Sequence, residues 1–154
     1  MTATDALTRK FEALVIFALA GQKFGLHISS VERIVRVVEI TPLPDAPDGV
    51  LGVVNVQGRV IPVIDCRARF QLPRREIRLS DYLIVTRAGD RRAALLVDSV
   101  MGVVKEDPSS IVDAESILPS LNCVDEVVKE KEDLILIHNL DKVLSFDLES
   151  LLNP

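Results

Sequence analysis

Short runs of apolar residues recur along the whole chain, and Val, Ile and Leu dominate them. Such runs, bounded by turn-forming residues, are typical of β-strands. Polar residues separate the runs at close intervals. The pattern predicts about ten strands, covering Phe11–Leu19, Lys23–Ile28, Arg33–Ile40, Gly52–Val56, Arg59–Asp65, Tyr82–Arg87, Arg92–Asp98, Met101–Lys105, Val124–Lys129 and Leu134–His138.

Several connectors between these runs have the chemistry of tight hairpins. They are Gly21-Gln22, Gln57-Gly58 and Ala88-Gly89-Asp90, and each can supply the positive φ angles that two-residue turns require. Many short strands in one small chain favour closed barrels, because a wide open sheet leaves exposed edges. The sequence therefore predicts a mainly β fold with two five-stranded halves.

Helical signals are sparse. Val31 and Ile34, spaced as neighbours on a helix face, predict one or two helical turns at Ile28–Ile34. Further short helical turns are expected at Pro47–Gly52 and after a capping Ser145 near the end of the chain. The longest irregular connection is expected at Pro108–Leu121.

Length and charge limit the classes of function. The 154 residues suit one domain, which we expect to span residues 11–154 after a flexible segment at residues 1–10. The net charge of -5 argues against nucleic-acid binding, which needs a basic stripe. One arginine cluster is diluted by acidic residues and is expected to be a solvated face: Arg67, Arg69, Arg74, Arg75 and Arg78.

The compartment follows from the apolar runs and the cysteines. No run approaches the ~20 residues that span a bilayer. The run Ala13–Ala20 resembles a secretion signal, but it is short, and the following turn makes a hairpin the better interpretation. Cys66 and Cys123 lie in apolar surroundings and are expected to be free buried thiols. We therefore expect a soluble, cytoplasmic protein.

The residues that catalysis or metal binding would need are few. His27, His138 and the two cysteines are not at a short ligand spacing, and both histidines are expected to be strand residues. We find no nucleophile motif, phosphate loop or dinucleotide fingerprint. The sequence therefore predicts no enzyme, cofactor or metal site.

The segment Gly52–Phe70 is the most informative part of the chain. Its physical pattern is a hairpin in which Val60–Ile64 is apolar on both faces and is expected to be buried on both. Pro62 cannot donate a ladder hydrogen bond and is expected at an edge or bulge. Asp65 is placed to cap a turn of helix.

The same segment resembles the signature of the CheW family, Gly-Val-x-Asn-Leu-Arg-Gly-x-Val-Ile-Pro-Val-Ile-Asp-Leu-Arg. The resemblance covers nearly the whole chain from Phe11. It includes the Val-x-x-Ile element at Val31–Ile34 and the Val-Asp-x-Val strand at Val97–Val100. It also includes the late Leu-Ile-Leu-Ile strand and the following Leu-Asp-Lys-Val-Leu, which together fall at Leu134–Leu144. It implies a fold of two intertwined five-stranded SH3-like barrels with short helices.

The resemblance also implies a non-catalytic adaptor. CheW-like proteins bind the cytoplasmic tip of a chemoreceptor between the two barrels and bind the regulatory domain of a CheA-type histidine kinase, and they can associate in arrays. It does not assign kinase-binding residues here. The receptor-binding positions that it implies, each of which could instead serve only the fold, are Val31, Arg33, Ile34, Gly52, Asn55, Val56, Gln57 and Gly58.

Two positions depart from the family pattern. The family usually has Arg where this chain has Gln57, and Glu where it has Arg33. Those two family residues are thought to pair, so the double change removes an ion pair without leaving one partner alone. We expect altered receptor recognition, with Arg33 available to a carboxylate of the partner.

Alternative functions stay open at this point. The chain can couple receptors to a kinase in a non-flagellar pathway that controls pili, surface behaviour or a second messenger. A different class of function is a ligand or metal sensor that uses the cleft between the barrels, with His27 or His138 as a ligand. An enzyme built on barrels has no supporting residue pattern.

Overall fold

The chain forms eleven strands and three short helices in the residues described by the structure, a computed structural model that covers 12–106, 110–113 and 124–144. The strands are β1 (Glu12–Leu19), β2 (Gln22–His27), β3 (Val31–Arg36), β4 (Val50–Val56), β5 (Arg59–Asp65), β6 (Tyr82–Ala88), β7 (Arg91–Val97), β8 (Ser99–Glu106), β9 (Ile111–Asp113), β10 (Val124–Glu130) and β11 (Asp133–His138). The helices are a 3-10 turn (Ile28–Ser30), α1 (Cys66–Arg69) and α2 (Leu140–Leu144). All ten predicted strands are present.

The strands form two sheets, and the chain passes from one sheet to the other and back. One sheet has the order β8-β1-β2-β11-β10-β9, and the other has the order β3-β6-β7-β5-β4. The chain therefore starts in the six-stranded sheet, builds the whole five-stranded sheet, and then returns to complete the first. This path confirms the intertwined β architecture.

The five-stranded sheet closes on itself through the segment that follows β3. Thr41 forms an isolated antiparallel bridge with Val53 of β4, and backbone N–H groups donate in both directions at 2.8 and 2.9 Å. Because β3 and β4 are the two outer strands of this sheet, the bridge joins its ends. The closed form is the SH3-like barrel that the resemblance implies.

The other sheet has six strands rather than the expected five. The additional strand, β9, lies inside the connection Pro108–Leu121 that was expected to be irregular. β8 and β9 occupy the two ends of the sheet, and the Ser110 hydroxyl donates to a Glu106 carboxylate oxygen at 3.4 Å. The short strand β9 therefore raises the strand count of this half from the expected five to six.

Buried apolar residues in the described ranges form four clusters, and the three largest stabilise the two sheets. One lies within the five-stranded sheet around Val54, Val63 and Leu83, and one lies within the six-stranded sheet around Ile16 and Ile135. The largest combines side chains of both sheets with both α-helices: Val15, Phe17, Leu19, Phe24, Leu26, Ile64, Cys66, Ile84, Ala93, Leu95, Val97, Leu140, Val143 and Leu144. The two halves of the fold are therefore held together by the burial of these shared apolar side chains.

The hairpin turns agree closely with the predicted ones. Gln57 and Gly58 have φ angles of 51° and 83°, which is the pattern of a type I′ turn. The first turn uses Ala20 and Gly21, at φ 51° and 80°, so it lies one residue earlier than Gly21-Gln22. Gly89 also has a positive φ, as the third hairpin requires.

The helical predictions were less accurate. Only Ile28–Ser30 is helical, because the strand β3 already begins at Val31. The segment Pro47–Gly52 is not helical. It begins with a β-turn, in which the Val50 N–H donates to Pro47 O at 3.1 Å, and β4 starts at Val50. The predicted helix after Ser145 lies outside the described residues.

The predictions for Pro62, Val60 and Asp65 can be compared with the structure of the β4–β5 hairpin. Pro62 lies opposite Val53, whose N–H and C=O both bond to Thr41, so that pair requires no N–H from the proline. Val60 is 65% exposed, and its predicted burial was wrong because the shared core reaches β5 only at Ile64. Asp65 accepts from the Ala68 N–H at 3.3 Å, which confirms the cap.

Part of the arginine cluster is half-buried in an ionic network rather than fully solvated. Arg67 pairs with Asp98 at 2.6 Å, and Arg75 bridges Asp81 and Asp98 at 2.6 and 2.7 Å. Burial alone would raise the pKa of Asp98, but hydrogen bonds from the Ala20 N–H and Arg67, with the charge of Arg75, lower this pKa overall. The network attaches the connection between α1 and β6 to the strand ends.

Of the other arginines in the cluster, one is hydrogen-bonded to the protein and two are exposed to solvent. Arg69 donates to the carbonyl oxygens of Val143 and Lys142 at 3.2 and 2.9 Å, whereas Arg74 and Arg78 are exposed. Cys66 is buried, as predicted, and Cys123 lies outside the described residues. None of the helices within the described ranges has the length and apolar character needed to cross a membrane.

Candidate functional site

The residues that the resemblance assigns to receptor binding lie on two elements of the five-stranded barrel. Val31, Arg33 and Ile34 belong to β3, and the remaining positions belong to β4 and its turn. Although β3 and β4 are at opposite ends of the sheet order, the bridge between Thr41 and Val53 brings the two ends together. The barrel closure therefore creates one surface from both elements.

A bulge in β3 determines where its side chains point. Val31 lies opposite Thr86, Arg33 opposite Val85 and Ile34 opposite Ile84, with one extra residue, Glu32, between the first two. Such a bulge shifts the alternation of side chains by one position. Val31 and Ile34 consequently share the face of Ile84, which belongs to the core between the sheets.

The two apolar residues of β3 differ in exposure. Val31 packs partly against the shared core, while Ile34 remains 38% exposed. Ile34 therefore presents an apolar side chain at the margin of the core between the barrels.

The turn of the β4–β5 hairpin is stabilised by its own side chain. The Gly58 N–H donates to Asn55 Oδ1 at 2.8 Å, which fixes the type I′ turn. Gln57, at the tip, is exposed. The structure thus gives Asn55 and Gly58 a role in the fold and leaves Gln57 accessible to a partner.

Gly52 has a different environment from the other predicted positions. It is buried, it has a φ of 153°, and a Cβ placed on it would overlap the carbonyl oxygen of Thr41. A glycine is required for this close approach of two backbones. The structure therefore gives Gly52 a role in closing the barrel.

A depression of about 380 Å³ lies at the hairpin end of the five-stranded barrel. Three of the predicted residues line it, namely Arg33, Val56 and Gln57. All five strands of the sheet contribute to its wall, and the residues that sequence reasoning missed are Glu32, Arg59, Ile61, Val85 and Arg92. The depression is thus the open end of the barrel interior.

The lining of this depression contains more positively charged than negatively charged side chains. Glu32 accepts from Arg92 Nε with both carboxylate oxygens at 3.1 Å and lies 3.9 Å from Arg87. Arg33 and Gln57 both face the depression, so the two positions at which this chain departs from the family pattern lie in one site. Alternation with the core positions of β5 and β7 was the sequence signal that could have found Arg59 and Arg92.

The histidines lie elsewhere. His27 is 3.1 Å from Glu126, and the His138 ring stacks on Phe70 with a centroid distance of 3.9 Å. In the ranges that the structure describes, no group of three or more His, Cys, Asp or Glu side chains is arranged to hold a metal ion.

Comparison with known proteins agrees with the geometry. A family model described as the CheW-like domain matches residues 13–147. The chain belongs to the CheW-like domain family. Among CheW-like relatives, it is 27% identical over 135 residues to the chemotaxis protein CheW of Bacillus subtilis (strain 168), with 86% of each chain covered. It is 34% identical over 102 residues to the chemotaxis protein CheW of Rhizobium meliloti (strain 1021), with 66% of each covered.

A solved CheW structure has the same architecture. The crystal structure of the scaffolding protein TtCheW from Thermoanaerobacter tengcongensis superimposes with a TM-score of 0.80 at 29% sequence identity. The match covers 89% of this chain and 94% of the other. The expected CheW-like fold is therefore confirmed.

Proposed function

We propose that this protein is a non-catalytic adaptor that couples the cytoplasmic tip of a chemoreceptor to the regulatory domain of a CheA-type histidine kinase. The observation that carries the proposal is membership of the CheW-like domain family over residues 13–147. The similarity to a protein described as a scaffold supports it. The adaptor acts in the cytoplasm as a single domain.

The proposed receptor surface combines an apolar margin with a polar turn. Ile34 supplies the exposed apolar contact next to Val31, and Gln57 supplies the exposed polar contact at the hairpin tip. Gly52, Asn55 and the other hairpin residues hold this turn in place. A receptor helix can bury Ile34 and contact the turn at the same time.

Arg33 and Gln57 are proposed to set receptor choice. Both line the same depression, and exchanging them for the usual family residues, Arg33→Glu with Gln57→Arg, restores an ion pair in place of one unpaired arginine. The double variant is expected to prefer a different receptor tip. Unchanged affinity and unchanged receptor preference in a binding assay would show that the pair does not set specificity.

Capture of the kinase identifies the pathway. The protein is used in a pull-down with the regulatory domain of each CheA-type kinase from its own cell, and the expected result is specific binding to one of them. The kinase that binds distinguishes swimming chemotaxis from a pathway that controls pili, surface behaviour or a second messenger. Binding to none of them would contradict the adaptor function.

A matched pair of variants tests the receptor surface. Ile34→Ser is expected to weaken binding of a receptor-tip fragment by about fivefold, since losing a buried aliphatic contact costs on the order of 1 kcal/mol. Leu134→Ser makes the same kind of change at a 54% exposed residue of β11 and is expected to leave binding unchanged. Equal effects of both variants in isothermal titration calorimetry would remove Ile34 from the receptor surface.

A further inference from the structure

Three arginines occupy inward-facing positions at one end of the five-stranded barrel. Residues that pair across strands, or lie two apart on one strand, share a face. The core of this barrel includes Ile61, Val85 and Ala94. Arg33 lies opposite Val85, Arg59 lies two residues before Ile61, and Arg92 lies two residues before Ala94. The last layer of the barrel interior is therefore cationic, and all three side chains line the same depression.

A single carboxylate lies in the depression beside the three guanidinium groups. Among the residues lining the depression, Glu32 is the acidic one, and it is engaged by Arg92 through both oxygens. Within the ranges that the structure describes, Arg33 and Arg59 make no ion pair or side-chain hydrogen bond, and both are exposed. The site thus holds two guanidinium groups available to an anion in a chain whose net charge is -5.

The surroundings of these guanidinium groups indicate what kind of anion fits. Val56, Ile61 and Val85 form an apolar part of the lining, which suits the methylene groups of an acidic side chain. A guanidinium group matches a carboxylate in a bidentate geometry. The overall negative charge disfavours a nucleic-acid phosphate backbone. A volume of about 380 Å³ has room for more than one side chain.

We propose that this depression binds the acidic side chains of a protein partner, with Arg33 and Arg59 as the groups that contact the carboxylates. Arg92 and Glu32 act as a fixed pair that keeps the third guanidinium in place. The inference deepens the proposed adaptor function, on which it rests, by naming the chemistry of one partner contact and by adding Arg59 to the residues that determine specificity.

The test uses the whole protein and short peptide probes. ¹⁵N-labelled protein is titrated at low salt with N-acetyl-Leu-Glu-Glu-Leu amide, and its Leu-Gln-Gln-Leu counterpart serves as the uncharged control. The expected result is that only the acidic peptide shifts the amide signals around Arg33, Gln57 and Arg92. Raising the salt to about 0.5 M should weaken the binding, because screening acts on exposed charges.

Charge variants connect the binding to the two arginines. Arg33→Gln and Arg59→Gln should each lower the affinity for the acidic peptide by roughly two- to fivefold, which is the range expected for exposed ion pairs. Arg74→Gln removes the same charge from an exposed arginine outside the depression and should leave the affinity unchanged. Preserved dispersion of the amide signals in each variant shows that the fold is intact.

Three results would overturn the proposal. They are equal shifts with the uncharged peptide, no shift at millimolar peptide, and an equal loss of affinity in Arg74→Gln. In each case the inward arginines would not form a site for carboxylates. Because neither receptor nor kinase is present in this titration, failure of the adaptor function and failure of this site are distinguished.

Discussion

Replacing Gly52 by alanine should open the five-stranded barrel at the point where it closes. The new Cβ would overlap the carbonyl oxygen of Thr41 and would lie 2.8 Å from its carbonyl carbon and 3.0 Å from the Cα of Pro42. All three are backbone atoms, so no side chain can rotate away. The segment around Thr41 must move, and its two hydrogen bonds to Val53 are lost.

The size of the effect follows from two contributions. An alanine held at a φ of 153° is strained by ~1–3 kcal/mol. Two backbone hydrogen bonds contribute ~0.5–1.5 kcal/mol each. The Gly52→Ala variant should therefore lose about 2–6 kcal/mol of unfolding free energy, which is a large part of the ~5–15 kcal/mol typical of a domain.

Gly58→Ala provides the matched control. Gly58 also has a positive φ, 83°, but a Cβ there has no other atom within 4 Å. Only the strain of a left-handed alanine remains, roughly 1–2 kcal/mol. Urea unfolding followed by circular dichroism measures both variants. A loss in Gly52→Ala no larger than in Gly58→Ala would refute the close approach to Thr41 as the reason for this glycine.

Three further predictions concern stability. Phe17→Ala should lower the unfolding free energy by about 3–5 kcal/mol, because Phe17 is fully buried in the core shared by both sheets. Urea unfolding should show one transition, and separate transitions for the two sheets would contradict a shared core. Because the pKa of Asp98 is lowered on folding, its stabilising contribution is present above its unfolded pKa and is lost as the pH falls through the folded value. The unfolding free energy measured from pH 6 to pH 3 should therefore fall more steeply in the native protein than in Asp98→Asn, and identical slopes would contradict this. Asp65→Ala should cost ~0.5–2 kcal/mol by removing the cap of α1, whereas Asp65→Asn, which can still accept the hydrogen bond, should lose less in thermal unfolding.

The strands were predictable because apolar runs and turn residues are local signals. β9 was missed because its three residues are fewer than a recognisable run. The helical turns predicted at Ile28–Ile34 are limited to Ile28–Ser30, and the bulge at Glu32 instead places Val31 and Ile34 on one face of a strand. The spacing of i and i+3, which normally indicates a helix, therefore also fits a bulged strand.

The long-range contacts could not be predicted from the sequence. Arg75 lies 23 residues from its partner Asp98, and no local pattern connects these two residues. The candidate site was partly predictable, since the resemblance identified Arg33 and Gln57. Alternation along β5 places Arg59 on the inward face, but only the closed barrel shows that it shares one depression with Arg33 and Gln57.

The most direct test of the adaptor function is a three-component kinase assay. Autophosphorylation of the kinase captured by this protein is measured with receptor fragments, in the presence and absence of the protein. We predict that kinase activity depends on the receptor only when the protein is present, and that Ile34→Ser reduces this dependence more than Leu134→Ser. Kinase activity that responds to the receptor equally with and without the protein would contradict the coupling function.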